Sequence, residues 1–322
     1  MTTPALAWKL LLLCCLLMPL AARTAPAPRE LLDSGHADEA LRLLNGASGS
    51  RNAESSNYLC RVYYSLQDWD NAIRHCERAV KSEPGNALYQ LWMGRSYGQK
   101  ASVSNPVWAY ALARKTVACF KVAHELDRNY MPAARDLAEY YTTAPAIVGG
   151  GNDKALALAA EIAPQHPSDA AWVRAMAAAS AGHPEEAERE YAEAIRLDHD
   201  SATTYLDLAH YLRGRKSWDR FQQTVERAMQ SPRIQPADRY NAAEMLLRTE
   251  RNLDQAARLL LAYIHSENTG EEAPVFRAHF LLGEVLRKMG DNGQAAAEYR
   301  AALALASNYR PATDALRRLG QR

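Results

Sequence analysis

An all-α solenoid of stacked helix-turn-helix units is predicted by three observations. One pattern of small and apolar residues recurs seven times at helical spacing, a second helical signal precedes most of these recurrences, and the composition suits a long core. Of 322 residues, 48% are hydrophobic and 23% charged, as in ordinary folded domains. Repeat chains grow by stacking, so a length that otherwise suggests two domains is compatible with one elongated body. Lys plus Arg (38) nearly balance Asp plus Glu (37), so no global field draws the chain to nucleic acid or to an anionic membrane.

The first element is a leader. Lys9 precedes the apolar run Leu10 to Leu20, which closes in Ala21-Ala22, the organisation of a secretory signal peptide over residues 1–22. Roughly 11 apolar residues at ~1.5 Å each fall well short of a ~30 Å bilayer core, so export to the periplasm or beyond is expected and a stable membrane span is not. Cleavage fits best after Ala22, because a cut after Ala25 would place Arg23 at the third position before it. Leu13 stands before Cys14 where lipoprotein processing needs a small residue. Residues 23–52 then hold a linker and a half-unit from Glu30 to Leu44, centred on Ala40.

The repeats occupy residues 53–306. In the second half of each unit a small residue is followed by an apolar one four positions on and a small one seven on, often with Pro twelve on. Ala72, Cys76, Ala79 and Pro84 fit in full; Ala155, Ala159, Ile162 and Pro167 fit with one change; Ala187, Tyr191 and Ala194 lack the proline. Thr116-Phe120-Ala123, Phe221-Val225-Ala228, Ala256-Leu260-Tyr263 and Ala295-Tyr299-Ala302 complete seven units, with Phe221 standing where a small residue is usual. Offsets of four and seven fall on one helical face, and small side chains there let a neighbouring helix approach closely. A first helix is marked by a small residue twelve positions earlier, at Cys60, Ala175, Ala209 and Gly283.

This pattern resembles the tetratricopeptide repeat (TPR) family, whose W-x2-L-G-x2-Y, A-x3-F and P positions recur about every 34 residues. Trp92-Met93-Gly94-Arg95-Ser96-Tyr97 and the run from Ala72 to Pro84 carry the resemblance best. It implies a right-handed superhelix of seven repeats, closed by a capping helix within residues 307–322. It also implies a concave groove, lined by the first helices, in which a partner peptide is held.

Two hairpins are lengthened. Gly94 lies 22 residues before Thr116 rather than 12, and Ala138 lies 17 before Ala155, so repeat two carries ten extra residues and repeat three five. Ser102-Val103-Ser104-Asn105-Pro106 offers a capping residue and a first-turn proline, which predicts a second helix from Pro106 to about Leu126 that overhangs its neighbours. Ala144 to Gly151 reads as a glycine-closed turn before a helix beginning near Asn152, and His265 to Pro274 as a polar linker.

No catalytic constellation is present in the sequence. The nine His are scattered as surface or turn residues, and there is no H-E-x-x-H, C-x-x-C or G-x-S-x-G, so neither an enzyme nor a cofactor or metal site is expected. Gly149-Gly150-Gly151 invites a phosphate-loop reading, but Lys154 is not followed by Ser or Thr and no strand precedes it, so positive φ in a turn is the expectation. Without the leader, Cys60, Cys76 and Cys119 remain, an odd number at apolar helical positions. Each serves as a small hydrophobe, with a Cys60–Cys76 bridge inside one hairpin as the alternative.

Aligning the units onto the groove of the resembled family places Arg61, Tyr64, Arg95, Arg135, Trp172 and Met176 on its wall as candidate partner contacts. Arginines with interleaved aromatics suit acidic, carboxylate-bearing segments. The other reading is a solvated face paired with Glu54, Glu139 and Glu284. The clamp of chaperone-binding TPRs needs Lys, Asn, Asn, Lys and Arg, whereas Asn57, Arg61, Trp92, Pro132 and Asp136 stand here, so that function is not carried over. The expected partner is a protein or peptide. The alternative is an accessory subunit of an envelope assembly, contacting its partners through helix 106–126 or the convex face.

Overall fold

The computed structural model describes residues 26–46 and 52–320. The leader and its cleavage site lie outside them. All the regular structure in the described residues is helical, apart from one isolated bridge between Gly270 and Ala273. Two short helices, α1 (Pro28–Asp33) and α2 (Ala37–Asn45), stand where a half-unit was expected. Seven hairpins follow: α3 (Ala53–Ser65) with α4 (Trp69–Ser82), α5 (Ala87–Ser102) with α6 (Pro106–Leu126), α7 (Met131–Thr143) with α8 (Asn152–Ile162), α9 (Pro167–Ser180) with α10 (Pro184–Leu197), α11 (Ala202–Gly214) with α12 (Trp218–Gln230), α13 (Pro236–Thr249) with α14 (Leu253–Ile264), and α15 (Val275–Lys288) with α16 (Asn292–Leu305). The last element is α17 (Arg310–Gly320).

Local chemistry sets these boundaries. Asn52, Asp68, Asn86, Asn105 and Asp291 each accept a backbone N–H of the first helical turn that has no partner within the helix. Pro106, Pro167, Pro184 and Pro236 open helices at the position where a missing N–H costs nothing. Four hairpins close in the same three-residue turn, with the middle residue left-handed at Gln67, Gly182, Lys216 and Gly290. In each, the last turn residue donates back into the first helix, as Asp68 does to the Tyr63 carbonyl.

The small residues mark where helices meet. A Cβ on Gly94 would come 2.6 Å from the Phe120 ring, and one on Gly283 would come 2.5 Å from that of Tyr299. Phe120 and Tyr299 are the apolar residues four beyond the second-helix anchors, so in both hairpins that ring seats on the glycine of the partner helix. Phe221 is accommodated as well, fully buried with Val225 and Ala228.

The superhelix closes on itself. Leu31, Leu32, Ala40, Leu59 and Val62 share one core cluster with Phe276, Tyr299, Tyr309 and Ala315, so the first and last described turns bury their apolar faces together. Thr269 donates to the Asp33 carbonyl at 2.7 Å, the Ser307 N–H donates to Asp38 at 2.9 Å, and Gly35 lies against the Pro274 and Val275 backbone. Open solenoids need polar caps at each end; here each end covers the other.

Two expectations are corrected. Cys60 and Cys76 form a disulfide across the first hairpin, with Cα atoms 5.1 Å apart, leaving Cys119 as a buried thiol. His124 is buried rather than a surface residue and lies 3.2 Å from Glu161.

Candidate partner-binding wall

The candidate wall is built on α3, α5 and α7, whose equivalent turns carry Arg61, Arg95 and Arg135. Their aromatic floor is continuous with the core. Trp92, 3% exposed, lies beneath both Arg61 and Arg95, whose guanidinium carbons stand 5.6 and 4.9 Å from its ring centre. Tyr58 flanks Arg61 at 5.2 Å, and Tyr64 meets Trp92 edge-on at 5.2 Å. Arg135 sits 3.9 Å above Trp172, which is 7% exposed and so forms a floor rather than a protruding anchor. Met176 packs, half-buried, against the same core. Flat guanidinium groups stacked on rings in this way keep their in-plane N–H donors free to meet carboxylates.

All three guanidiniums are already paired with carboxylates. Arg95 donates to Asp136 at 2.6 Å through Nε and to Glu272 at 2.7 Å through Nη1. Arg135 bridges Asp169 and Asp207, each at 2.8 Å. Arg61 pairs with Glu271. Burial disfavours the charge on Arg95 and Arg135, yet Asp136 and Glu272 for the one, and Asp207 and Asp169 for the other, outweigh it and hold both guanidiniums more firmly protonated than usual. Desolvation pushes the Glu271 carboxyl up, with Arg61 pulling in the opposite direction, and the same contest acts on Asp207 beside Arg135.

The six candidate residues are therefore brought together in two groups. Arg61, Tyr64 and Arg95 converge on Trp92; Arg135 stacks on Trp172, with Met176 on the same core. They do not form an unpaired basic stripe. The sequence reading missed the carboxylates, above all Glu271 and Glu272. These come from the linker after α14, which crosses to the wall and sets one glutamate on each of two arginines. An acidic pair in a linker longer than its repeat requires was the available signal. The carboxylates paired with Arg61, Arg95 and Arg135 differ from Glu54, Glu139 and Glu284, although Glu284 does pair with Arg287 at 2.9 Å.

The glycine turn is closed to anions. Gly149, Gly150 and Gly151 donate their N–H groups to Ala146, Pro145 and Tyr141 carbonyls, and Lys154 folds back to donate to the Gly149 and Gly150 carbonyls at 2.9 and 3.0 Å. Positive φ occurs at Gly149 and Gly151, as the sequence predicts. Among the described residues no group of His, Cys, Asp and Glu is arranged to hold a metal ion, and no helix is long and apolar enough to cross a membrane.

The family model for the tetratricopeptide repeat matches residues 29–87 and 240–310, the two parts of the chain that meet at the closure. Both stretches carry tetratricopeptide repeats. Solved structures to which the chain is similar include a tetratricopeptide repeat protein from Parabacteroides merdae (14% identity, 84% of this chain and 99% of that one, TM-score 0.41). Another is the C-terminal part of a TPR repeat-containing protein from Cytophaga hutchinsonii (14% identity, 89% and 97%, TM-score 0.42). A third is the APC/C hetero-tetramer Cut9-Hcn1 (15% identity, 89% and 60%, TM-score 0.41). No curated protein matches the chain.

Proposed function

We propose that this protein is an exported scaffold that holds a partner protein by a carboxylate-bearing segment laid along the wall of α3, α5 and α7. Tetratricopeptide repeats generally serve as protein-interaction scaffolds, and residues 29–87 and 240–310 match such repeats. The observation that carries the finer reading is the placement of Glu271 and Glu272, an acidic dipeptide at the tip of a linker turn seated on Arg61 and Arg95. The wall thus already receives the chemistry assigned to the partner, and a partner of similar charge would compete with the linker. Glu272 keeps 68% of its side chain exposed, so its pair with Arg95 is worth at most ~1 kcal/mol and is the easier to displace. The Cys60–Cys76 disulfide supports export, because such bonds persist in oxidising compartments.

The test uses the mature chain and synthetic Glu- and Asp-rich peptides, with amide-substituted peptides as controls. In the variant Glu272→Ala, which leaves the Arg61–Glu271 pair in place, the acidic peptides should bind about fivefold more tightly, ~1 kcal/mol. Adding Arg95→Ala should remove that gain. If no acidic peptide binds either form, the wall is a structural ion-pair layer. The accessory-subunit reading then leads, with contact through helix 106–126 or the convex face.

A further inference from the structure

The two lengthened hairpins are neighbours in the fold, and together they make a surface that the wall does not use. The Tyr140 hydroxyl on α7 bonds the Ala113 carbonyl of α6 at 2.8 Å and the Val148 carbonyl of the glycine turn at 2.9 Å, which fixes the second insertion against the flank of the first. Gly149 lies against Val117 of α6. The other second helices run 11 to 14 residues, whereas α6 runs 21. Its first turns therefore project beyond the neighbouring hairpins.

What projects is apolar. Val103, Val107 and Trp108 are 67, 79 and 65% exposed at the hairpin tip, and Ile147 on the adjoining turn is 73% exposed. The exposed stripe of α6 then changes character along its axis, from Val107 and Ala111 to Arg114, Lys115 and Lys121. From Pro84 to His124 the chain has no Asp or Glu, and none lies between Tyr140 and Asn152. Asp70 and Glu77 on α4, which face the hairpin tip, are taken by Lys100 at 2.8 Å and by the Tyr97 hydroxyl at 2.6 Å; Glu125 and Asp153 stand at the far end of α6 and after the glycine turn. The balanced charge of the whole chain thus conceals a hairpin, residues 84–124, whose charged side chains are all basic.

We propose that the two insertions form a docking knob for the surface of an anionic lipid bilayer. Arg114 lies seven residues along the helix from Val107, about 10 Å at ~1.5 Å per residue. That spacing lets Val107 and Trp108 enter the boundary of the acyl region while Arg114 and Lys115 remain at the level of the phosphates. Trp108 and Tyr110 are the side chains that favour this boundary, with an apolar ring and a polar edge. The apolar residues stand on a projecting helix end rather than in a groove, a shape suited to entering a soft surface.

The experiment is flotation of the mature chain with vesicles of phosphatidylcholine alone or mixed with phosphatidylglycerol, at low and high salt. Binding is expected only to the mixed vesicles and should weaken with salt. Val107→Asp/Trp108→Ser and Arg114→Glu/Lys115→Glu should each reduce it more than tenfold, with circular dichroism and melting unchanged because these side chains are exposed. A polarity-sensitive dye on Val107→Cys should shift to the blue on the mixed vesicles; Cys119 is buried and the other described cysteines are bonded. The proposal is overturned if wild-type chain does not float with anionic vesicles, if Val107→Asp/Trp108→Ser floats as well as wild type, or if the dye does not shift. A protein cross-linked to position 107 in native envelopes, with no vesicle binding, would equally overturn it and assign the knob to that protein.

Discussion

Arg61 and Glu271 are 210 residues apart in the chain and form an ion pair in which 9% and 19% of the two side chains remain exposed. One belongs to the first hairpin, the other to the linker before the last. The pair lies beside the apolar seam in which Val62 and Phe276 share a cluster, so it couples the ends of the solenoid by charge where the core couples them by burial.

Glu271→Ala should therefore loosen both ends at once. Leaving the Arg61 guanidinium without its carboxylate, largely shielded from water, costs about 2 kcal/mol. Urea titration should give that loss, and hydrogen exchange should accelerate in residues 28–45 and 310–320 together. Unchanged protection at either end would show that the apolar seam alone holds the closure.

Gly150→Ala should be the most damaging substitution in the glycine turn. A Cβ there would stand 1.8 Å from the Ala144 carbonyl oxygen, which is backbone and cannot swing away. A loss of about 2 kcal/mol or more is expected, well above that for Ala at an unobstructed glycine. Thermal melting of the three single Ala variants ranks them, and equal melting temperatures would contradict the geometry.

His75 should make the protein less stable in mild acid. It stacks on Tyr63 with ring centres 5.4 Å apart, and its Nδ1 has no hydrogen-bond partner. Burial first, then Arg78 and Arg74, lower its pKa from 6.5 to about 4. The unfolded chain takes up the proton first as the pH falls, so this contribution is complete above about pH 6.5 and is lost progressively toward pH 4. Because the ring is partly exposed, the loss is about 1–2 kcal/mol. His75→Phe keeps a stacking ring and cannot charge, so its stability should fall less than wild type between about pH 7 and about pH 4.5. Parallel curves for the two proteins would remove His75 as the cause.

Thiol counting tests the disulfide and the leader together. Burial raises the Cys119 thiol to about 12, so the native mature chain should show no reactive thiol. Denaturation without reductant should expose Cys119 alone, and reductant should add Cys60 and Cys76. Retention of the leader would add Cys14 and Cys15 to the count. Reducing the bond should cost about 3 kcal/mol for a loop of this length.

The repeat architecture was legible because its signals are local. A small residue, a ring four positions on and a capping Asn or Asp each act within one hairpin, so Gly283 and Tyr299 could be placed in equivalent roles without knowing the fold. Pro106 marked the start of α6 for the same reason. What could not be read was set by distance along the chain. Arg95 declared itself as a wall residue through its repeat position, but the Glu272 that occupies it comes from 177 residues away in a linker with no periodicity. Trp172 looked like an anchor by type and became a floor because Arg135, one repeat earlier, lies across it. The Cys60–Cys76 bond was undecided because a helical position that packs a small apolar side chain is also one that can bring two sulfurs together.

Closure also changes how the chain can vary. An open stack tolerates a gained or lost unit, since a new unit needs only one matching face on each side. Here the face of α2 must arrive at α16, so a duplicated hairpin would carry the two past each other and a deleted one would leave them short. Either change would expose the Leu31, Phe276 and Tyr309 seam to water at both margins. The number of units is therefore an inherited constant of this molecule, fixed by arc length, while the sequence within each unit remains free to drift wherever its small residues and rings are kept.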